Sequence, residues 1–349
     1  MKKVIIICKD LVGRSALKKR SVYIKFKLHF NKSNVFMKIL IVGGSGQFGY
    51  YFCKIFLKKK FDIYVSTRNI KNTKLKKVRE LSKKISIFKL DVLNPDQVRR
   101  SLFLIQPDYI LYLAGQSSPA KSFTLKKETI SSNFTGCKNF LKLIKKFNFK
   151  TKFFYASSSE IFGNVNCKVN LNTLKKPVSP YGVSKLKAFN LVKKYREKFY
   201  LPFYNGVIFN TESPLRPKNF LIPKICLSAI KAKKSKKNIF FKFGNINVKR
   251  DWGWCEEYVL IIWKMLQKKP KDFMVATGKT YSVKFLLNIA FSYFNLNWRN
   301  YVIVDKSFFR EKEINYVAAN VYWLKKDFKF LPKYEGIDII KKLISFYKK

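Results

Sequence analysis

Acidic residues are scarce in this chain: 349 residues hold 20 Asp and Glu against 73 Lys and Arg, a formal net charge of +53. Histidine is scarcer still. The single His29 lies ahead of the first good strand-like run, which excludes Ser-His-Asp triads, H-E-x-x-H metalloproteases and most other histidine-based catalysis. The six cysteines, Cys8, Cys53, Cys137, Cys167, Cys226 and Cys255, contain no C-x-x-C. Neither a zinc module nor a disulfide scaffold is expected, no metal is expected, and the usage suits a reducing cytoplasm. No apolar run approaches the roughly 18–20 residues of a membrane span, so no membrane partner is expected. What the chain does have is core material. With 47% hydrophobic and 17% aromatic residues, it is expected to fold, as one large domain or two moderate ones.

The lysine excess has two readings. A polyanion partner such as nucleic acid needs a basic patch. Here the lysines are spread along the chain, and Lys, Ile, Phe and Asn run high together, as AT-rich coding produces. The charge is read as composition, and no nucleic-acid partner is expected. Against that background the eleven arginines are the more informative cations, because a guanidinium offers a planar fork to phosphate.

Residues 1–36 differ from the rest. Val4 to Cys8 is too short an apolar run for a signal peptide, and no small-residue cleavage site follows. The segment is read as a disordered extension or an artefact of start-site assignment, with the folded part beginning near Met37. From there strand-like runs at 38–42, 62–66, 85–90, 109–113, 152–156 and 204–209 alternate with helical stretches at 51–60, 133–147 and 185–199. Short, continuously apolar strands alternating with helices imply an α/β fold, a Rossmann-type doubly wound parallel sheet. The rhythm becomes irregular after Asn210. The expected division is a dinucleotide-binding domain over 37–210 and a smaller, mainly substrate-binding domain over 211–349, with some segments returning to the first.

Four motifs carry chemistry. Gly43-Gly44-Ser45-Gly46-Gln47-Phe48-Gly49 follows the first strand. Its spaced glycines let the backbone turn and approach a pyrophosphate at a helix N-terminus. The second strand ends Ser66-Thr67-Arg68-Asn69. An acid there would read the ribose 2′-hydroxyl of NAD; a guanidinium suits the 2′-phosphate of NADP. Asp91, after the third strand, is placed either to meet the adenine edge or to cap a helix. Tyr181 and Lys185 in Ser179-Pro180-Tyr181-Gly182-Val183-Ser184-Lys185 lie one helical turn apart. The ammonium is expected to favour the phenolate, which makes Tyr181 a base toward an alcohol, and Lys185 is expected to hold the nicotinamide ribose. Tyr155-Ala156-Ser157-Ser158-Ser159-Glu160 ends the fifth strand at the ligand-binding edge of such a sheet. Ser158 can hydrogen-bond a sugar hydroxyl and Glu160 can take a carbon-bound proton, or both cap the next helix.

Together these residues resemble the extended short-chain dehydrogenase/reductases that act on nucleotide sugars. Asn210-Thr211-Glu212-Ser213-Pro214-Leu215-Arg216, the stretch from Gly244 through Arg250-Asp251-Trp252-Gly253, and Leu113-Ala114-Gly115-Gln116-Ser117 narrow the match to the GDP-mannose 4,6-dehydratase family. Arg310-Glu311-Lys312-Glu313 is similar to that family's late R-P-x-E element. The resemblance runs from about Met37 to the C-terminus. It implies a catalytic set of Ser158, Glu160, Tyr181 and Lys185. It implies NADP held by Gly43, Gly46, Gln47, Gly49, Arg68, Asp91, Val92 and Leu113 besides Tyr181 and Lys185. It implies a GDP-sugar held by Gln116, Ser117, Asn210, Glu212, Arg216, Lys224, Arg250 and Glu313. An internal redox cycle converting GDP-mannose to GDP-4-keto-6-deoxymannose follows, in a homo-oligomer, a dimer or tetramer. The sequence departs from the family pattern at five positions. Ser158 stands where Thr is usual, Thr211 and Trp254 where His is frequent, Asn69 where a second Arg is found, and Glu311 in place of Pro. A reductase, an epimerase or a heptose-specific dehydratase on the same fold remain open, as does an inactive NADP-binding regulator.

Overall fold

Apolar, partly β-branched runs such as Lys-Ile-Leu-Ile-Val prefer extended backbone, and a run apolar on both faces needs cover on both sides. The computed structural model describes residues 36–236 and 238–348, and in it these runs form one seven-stranded parallel sheet. Its strands are β1 (Lys38–Val42), β2 (Asp62–Thr67), β3 (Ser86–Lys89), β4 (Tyr109–Tyr112), β5 (Lys152–Ser158), β6 (Phe203–Ile208) and β7 (Asp272–Val275). The order is β7-β6-β5-β4-β1-β2-β3. Because β1 pairs with β2 on one side and β4 on the other, the winding reverses there and opens a crevice at the strands' C-terminal ends. All of the expected extension but Phe36, His29 and Cys8 included, lies outside the described residues.

Both faces are covered. α1 (Gln47–Lys58) packs with the helix Cys255–Leu266 over one face, around Phe52, Phe56, Ile262 and Met265. Helices Pro95–Ile105, Gly136–Lys146 and Pro180–Phe199 cover the other, around Leu102, Phe140, Phe153 and Val192. Each such fully buried large side chain contributes roughly 1.5–3 kcal/mol. A separate core joins helices Leu221–Lys234, Val283–Ser292 and Gly336–Lys348 through Ile225, Leu286 and Ile340. The short parallel pair Asn210–Glu212 and Trp252–Trp254 lies after β6, and a four-stranded sheet joins Lys168–Val169, from between β5 and β6, to Tyr316–Ala319, Lys249–Arg250 and Tyr281–Ser282.

The helix expected over 51–60 runs Gln47–Lys58, and two other boundaries moved for visible reasons. The expected helix over 133–147 is broken into a π-turn, Ser131–Thr135, and the α-helix from Gly136. The wider turn accompanies inward bonds from Asn133, whose Nδ2 donates to Gln116 O and Ser184 Oγ, both at 3.1 Å. The helix expected over 185–199 starts earlier, at Pro180. Ser179 caps it by accepting from Gly182 N at 3.1 Å, and proline suits the first helical position. No helix among the described residues is long and apolar enough to cross a membrane.

Candidate active site

The turn between β1 and α1 needs glycine at some positions for the fold and at one for another reason. Gly43 has φ +78°, and a Cβ there would stand 2.5 Å from Ala114 Cα. The N–H groups of Gly43 and Gly44 both donate to Ser66 O, at 3.0 and 3.1 Å, and tie the turn to β2. At Gly49 a Cβ would run into the Gly44 carbonyl, so the bare α-carbon lets the helix sit on the strand. Gly46, the N-cap of α1, is different: a Cβ there meets nothing within 4 Å. That open space faces the crevice at a helix N-terminus, where unpaired N–H groups attract anions. The Gln47 side chain is held within the protein, donating to Thr211 O at 2.9 Å and accepting from Ser213 Oγ at 2.7 Å.

The crevice continues as one cavity of about 1020 Å³. Gly43, Gly46, Gln47, Gly49, Arg68, Asp91, Val92, Leu113 and Ser117 line one part. Ser158, Glu160, Tyr181 and Lys185 line it as well, as do Asn210, Glu212, Arg216, Lys224, Arg250 and Glu313. Gln116 is not among the lining residues: its amide donates to Ser118 O at 2.8 Å and Thr129 Oγ1 at 3.4 Å. Asp91 accepts from Leu93 N at 3.0 Å and shapes its own loop, while Asn94 caps the following helix.

Arg68 has a partner the sequence did not suggest. Its Nη2 lies 3.0 Å from Glu128 Oε1, with both side chains largely exposed. Lys74 and Lys77 line the same corner, so it is rich in cations even with Arg68 paired.

At the centre, Ser158 ends β5 and accepts from Glu160 N at 3.3 Å, capping the short turn Ser159–Ile161. The capping role is thus real for Ser158, and its hydroxyl also bonds Tyr181. The expected lowering of the Tyr181 pKa does not hold in this cleft. Burial pushes the hydroxyl up to about 12, against the Ser158 bond, which lowers it; the Glu160 charge raises it further and Arg216 lowers it. Lys185 is pushed down to about 8 by burial. Its Nζ donates to Ala156 O at 2.8 Å and lies 5.7 Å from the Tyr181 ring centre. Two neighbours buried in one low-dielectric wall both shift toward neutral.

Farther along, burial raises Glu212 to about 7, opposed by Arg216, whose Nε stands 3.8 Å from Glu212 Oε1 and whose guanidinium stacks on Phe220. Lys224 Nζ sits 4.7 Å from the ring centres of both Phe243 and Phe308. Arg250 donates to the carbonyls of Lys249 and Ile314 and pairs with Glu313 at 3.3 Å. Its neighbour in sequence does something else. Asp251 is fully buried and accepts from Thr277 N, Thr277 Oγ1 and Gly278 N at 3.0, 2.7 and 2.7 Å. Arg250-Asp251-Trp252-Gly253 therefore alternates: Arg250 and Trp252 line the cavity, Asp251 pins a loop, and Gly253 leaves room for the Tyr258 ring. Arg310, quoted from the sequence but given no role, also lines the cavity and touches Glu160.

Sheet order, glycine turn and the Tyr181–Lys185 pair on one crevice wall define a dinucleotide-binding α/β protein of the extended short-chain dehydrogenase/reductase type. Solved structures share this fold. A dTDP-glucose 4,6-dehydratase from Bacillus anthracis in complex with NAD superposes with a TM-score of 0.77 at 19% identity, covering 89% of this chain and 96% of that one. RMD from Pseudomonas aeruginosa complexed with NADPH gives 0.72 at 19% identity, covering 89% and 99%. The chain belongs to the GDP-mannose 4,6-dehydratase family: the family model described as GDP-mannose 4,6 dehydratase matches residues 40–343. Relatives include GDP-mannose 4,6 dehydratase 1 of Arabidopsis thaliana, 32% identical over 319 residues and 88% of each chain. The human GDP-mannose 4,6 dehydratase is 27% identical, covering 87% of this chain and 90% of its own.

Proposed function

We propose that the cavity binds NADP beside a GDP-sugar and converts GDP-mannose to GDP-4-keto-6-deoxymannose, as a hydro-lyase. The observation that carries this is one continuous cavity in a chain of this family. Gly46 leaves a cradle in it, Ser158, Glu160, Tyr181 and Lys185 line it, and so do Arg216, Arg250 and Arg310, the last in contact with Glu160. A nicotinamide cofactor fits: the open space at Gly46 accepts a pyrophosphate, and Arg68, Lys74 and Lys77 suit the extra phosphate of NADP over NAD. When bound, the cofactor supplies the acceptor and later the donor of hydride.

The chain's own residues move the protons. Tyr181 takes the proton of the sugar C4 hydroxyl, helped by the nearby Lys185 charge and the Ser158 hydroxyl. The C4 ketone acidifies the C5 hydrogen, and Glu160 removes it. Glu160, now a carboxylic acid, can return that proton to the hydroxyl leaving C6, so water departs; C5 regains a proton once C6 is reduced, matched by the one Tyr181 took from C4, and the count closes there. Asn210, Glu212, Arg216, Lys224, Arg250 and Glu313 hold the nucleotide end, where guanidinium forks suit a diphosphate. A cofactor part over 37–210, a mainly sugar-binding part over 211–349, a homo-oligomeric state and a cytoplasmic location belong to the same reading. Incubation with a panel of nucleotide sugars tests it. GDP-mannose should yield a product lighter by one water, and turnover confined to another sugar would overturn it.

A further inference from the structure

The charges around Glu160 form an alternating chain. Arg310 Nη1 lies 3.5 Å from Glu160 Oε1 and 3.7 Å from Glu313 Oε1, and Arg250 Nη2 lies 3.3 Å from that same Glu313 oxygen. The two arginines are held differently. Arg250 is 7% exposed and its guanidinium is anchored on two backbone carbonyls besides Glu313. Arg310 is 31% exposed. One of its nitrogens serves both carboxylates, at distances well beyond the roughly 2.7–2.9 Å of a strong charge-assisted bond.

The backbones on either side of this loose contact are joined firmly. Asn164, in the loop after Glu160, donates from Nδ2 to Glu313 O at 2.9 Å and accepts from Asn315 N at 2.7 Å. The segment bearing Arg310 is thus docked beside the loop bearing Glu160, while the guanidinium itself is free to change partner. Four charged or titratable groups surround Glu160. Arg310 and, through it, Glu313 come from the late segment, Tyr181 from the helix Pro180–Phe199, and Arg250 from the strand Lys249–Arg250.

We propose that Arg310 is a positioning residue that holds Glu160 in an ion pair until the substrate diphosphate takes the guanidinium, so that substrate binding itself frees the base. This rests on the reading of the cavity as a GDP-sugar site. A diphosphate brings several anionic oxygens into a region lined by Arg216, Arg250 and Arg310. Arg250 is anchored, and Arg216, stacked on Phe220 beside Glu212, has a buried Nε with no hydrogen-bond partner; of the three, Arg310 is the guanidinium paired with Glu160, so its capture by a phosphate is what costs Glu160 a partner. While the pair is made, one Glu160 oxygen is turned to the guanidinium; once it is broken, that oxygen is free to turn to the substrate. The device holds the Glu160 carboxylate on Arg310 in the empty cleft and releases it toward the sugar when a diphosphate is bound.

Competition between Glu160 and a diphosphate for one guanidinium is measurable without any chemistry. The probe is GDP alone, titrated by calorimetry at neutral pH into the native protein, Glu160→Gln, Arg310→Gln and the double variant. Glu160→Gln should tighten GDP binding about fivefold, the size of a partly exposed ion pair, and should change it little in the Arg310→Gln background. Arg310→Lys, which keeps the charge, should recover part of the gain. An equal gain in both backgrounds would mean simple repulsion between Glu160 and phosphate, and it overturns the coupling. No gain in either background, or none with Arg310→Lys, overturns it as well. Failure of the native protein to bind GDP at all overturns the GDP-sugar reading beneath it, which separates the two.

Discussion

Tyr181→Phe and Glu160→Gln should stop the reaction at different points. Tyr181 is assigned to the first oxidation. Burial raises its hydroxyl to about 12, so at neutral pH only about 10⁻⁵ of the empty sites hold a phenolate. Lys185, lowered to about 8, is still roughly nine-tenths charged at pH 7, which gives the site the cation the tyrosine needs. Removing the hydroxyl leaves no acceptor for the C4 proton, and both the oxidation and everything after it should fall by about 10²–10⁴. Glu160 is assigned only to the C5 proton. Its side chain is 12% exposed, and glutamine keeps its size and its capacity to hydrogen-bond, so a loss of the same order would reflect proton transfer. In stopped-flow with GDP-mannose, Glu160→Gln should develop reduced-nicotinamide absorbance with little 6-deoxy product, and Tyr181→Phe should show neither. In deuterated water Glu160→Gln should take up little label at C5. Product formation by Glu160→Gln near the native rate would reduce Glu160 to a residue of the Ser158-capped turn and refute the assignment.

Gly46→Ala should fold normally and lose cofactor affinity, because its Cβ meets no protein atom but enters the cradle. Gly49→Ala should instead lower the melting temperature, through its clash with the Gly44 carbonyl; equal behaviour in melts and titrations would contradict this. The protein should bind NADP more tightly than NAD, with Arg68→Ala narrowing the gap and Glu128→Gln widening it by freeing Arg68; equal affinities in titration would refute the assignment. Glu212 has a folded pKa raised from 4.5 to about 7 by burial. Its contribution to stability is therefore complete below pH 4.5 and lost as pH rises through about 7, on the order of 3 kcal/mol. The fall in melting temperature across that window should shrink in Glu212→Gln, and an unchanged fall would show that Glu212 is not the group responsible.

The parts of the site legible in the sequence are those encoded within a few residues. The glycine turn needs only its own spacing, and Tyr181 and Lys185 need only one helical turn. What the sequence concealed depends on distant pairing. Glu128 reaches Arg68 across 60 positions and Arg310 reaches Glu160 across 150, and no local pattern announces either. The rarity of arginine was the available signal for Arg310, but it named the residue without its partner. The tyrosine shift was missed for a similar reason: the ammonium is visible in the sequence, while the burial that raises the hydroxyl comes from the packed cleft. The Arg250–Gly253 stretch shows the converse. It reads as one signature, yet Arg250 lines the cavity whereas Asp251 pins the loop at Thr277 and Gly278. Gln116 stood in a matching stretch too, and its amide closes on Ser118 and Thr129 instead of the cavity.

The internal redox cycle can be followed with one label. GDP-mannose carrying deuterium at C4 should give a 4-keto-6-deoxy product with that deuterium at C6, detected by mass and by NMR, with no net consumption of nicotinamide. A product whose C6 hydrogen comes from solvent, or a converted sugar that has lost no water and carries the label back at C4, would contradict the assignment of this cleft to an intramolecular dehydration.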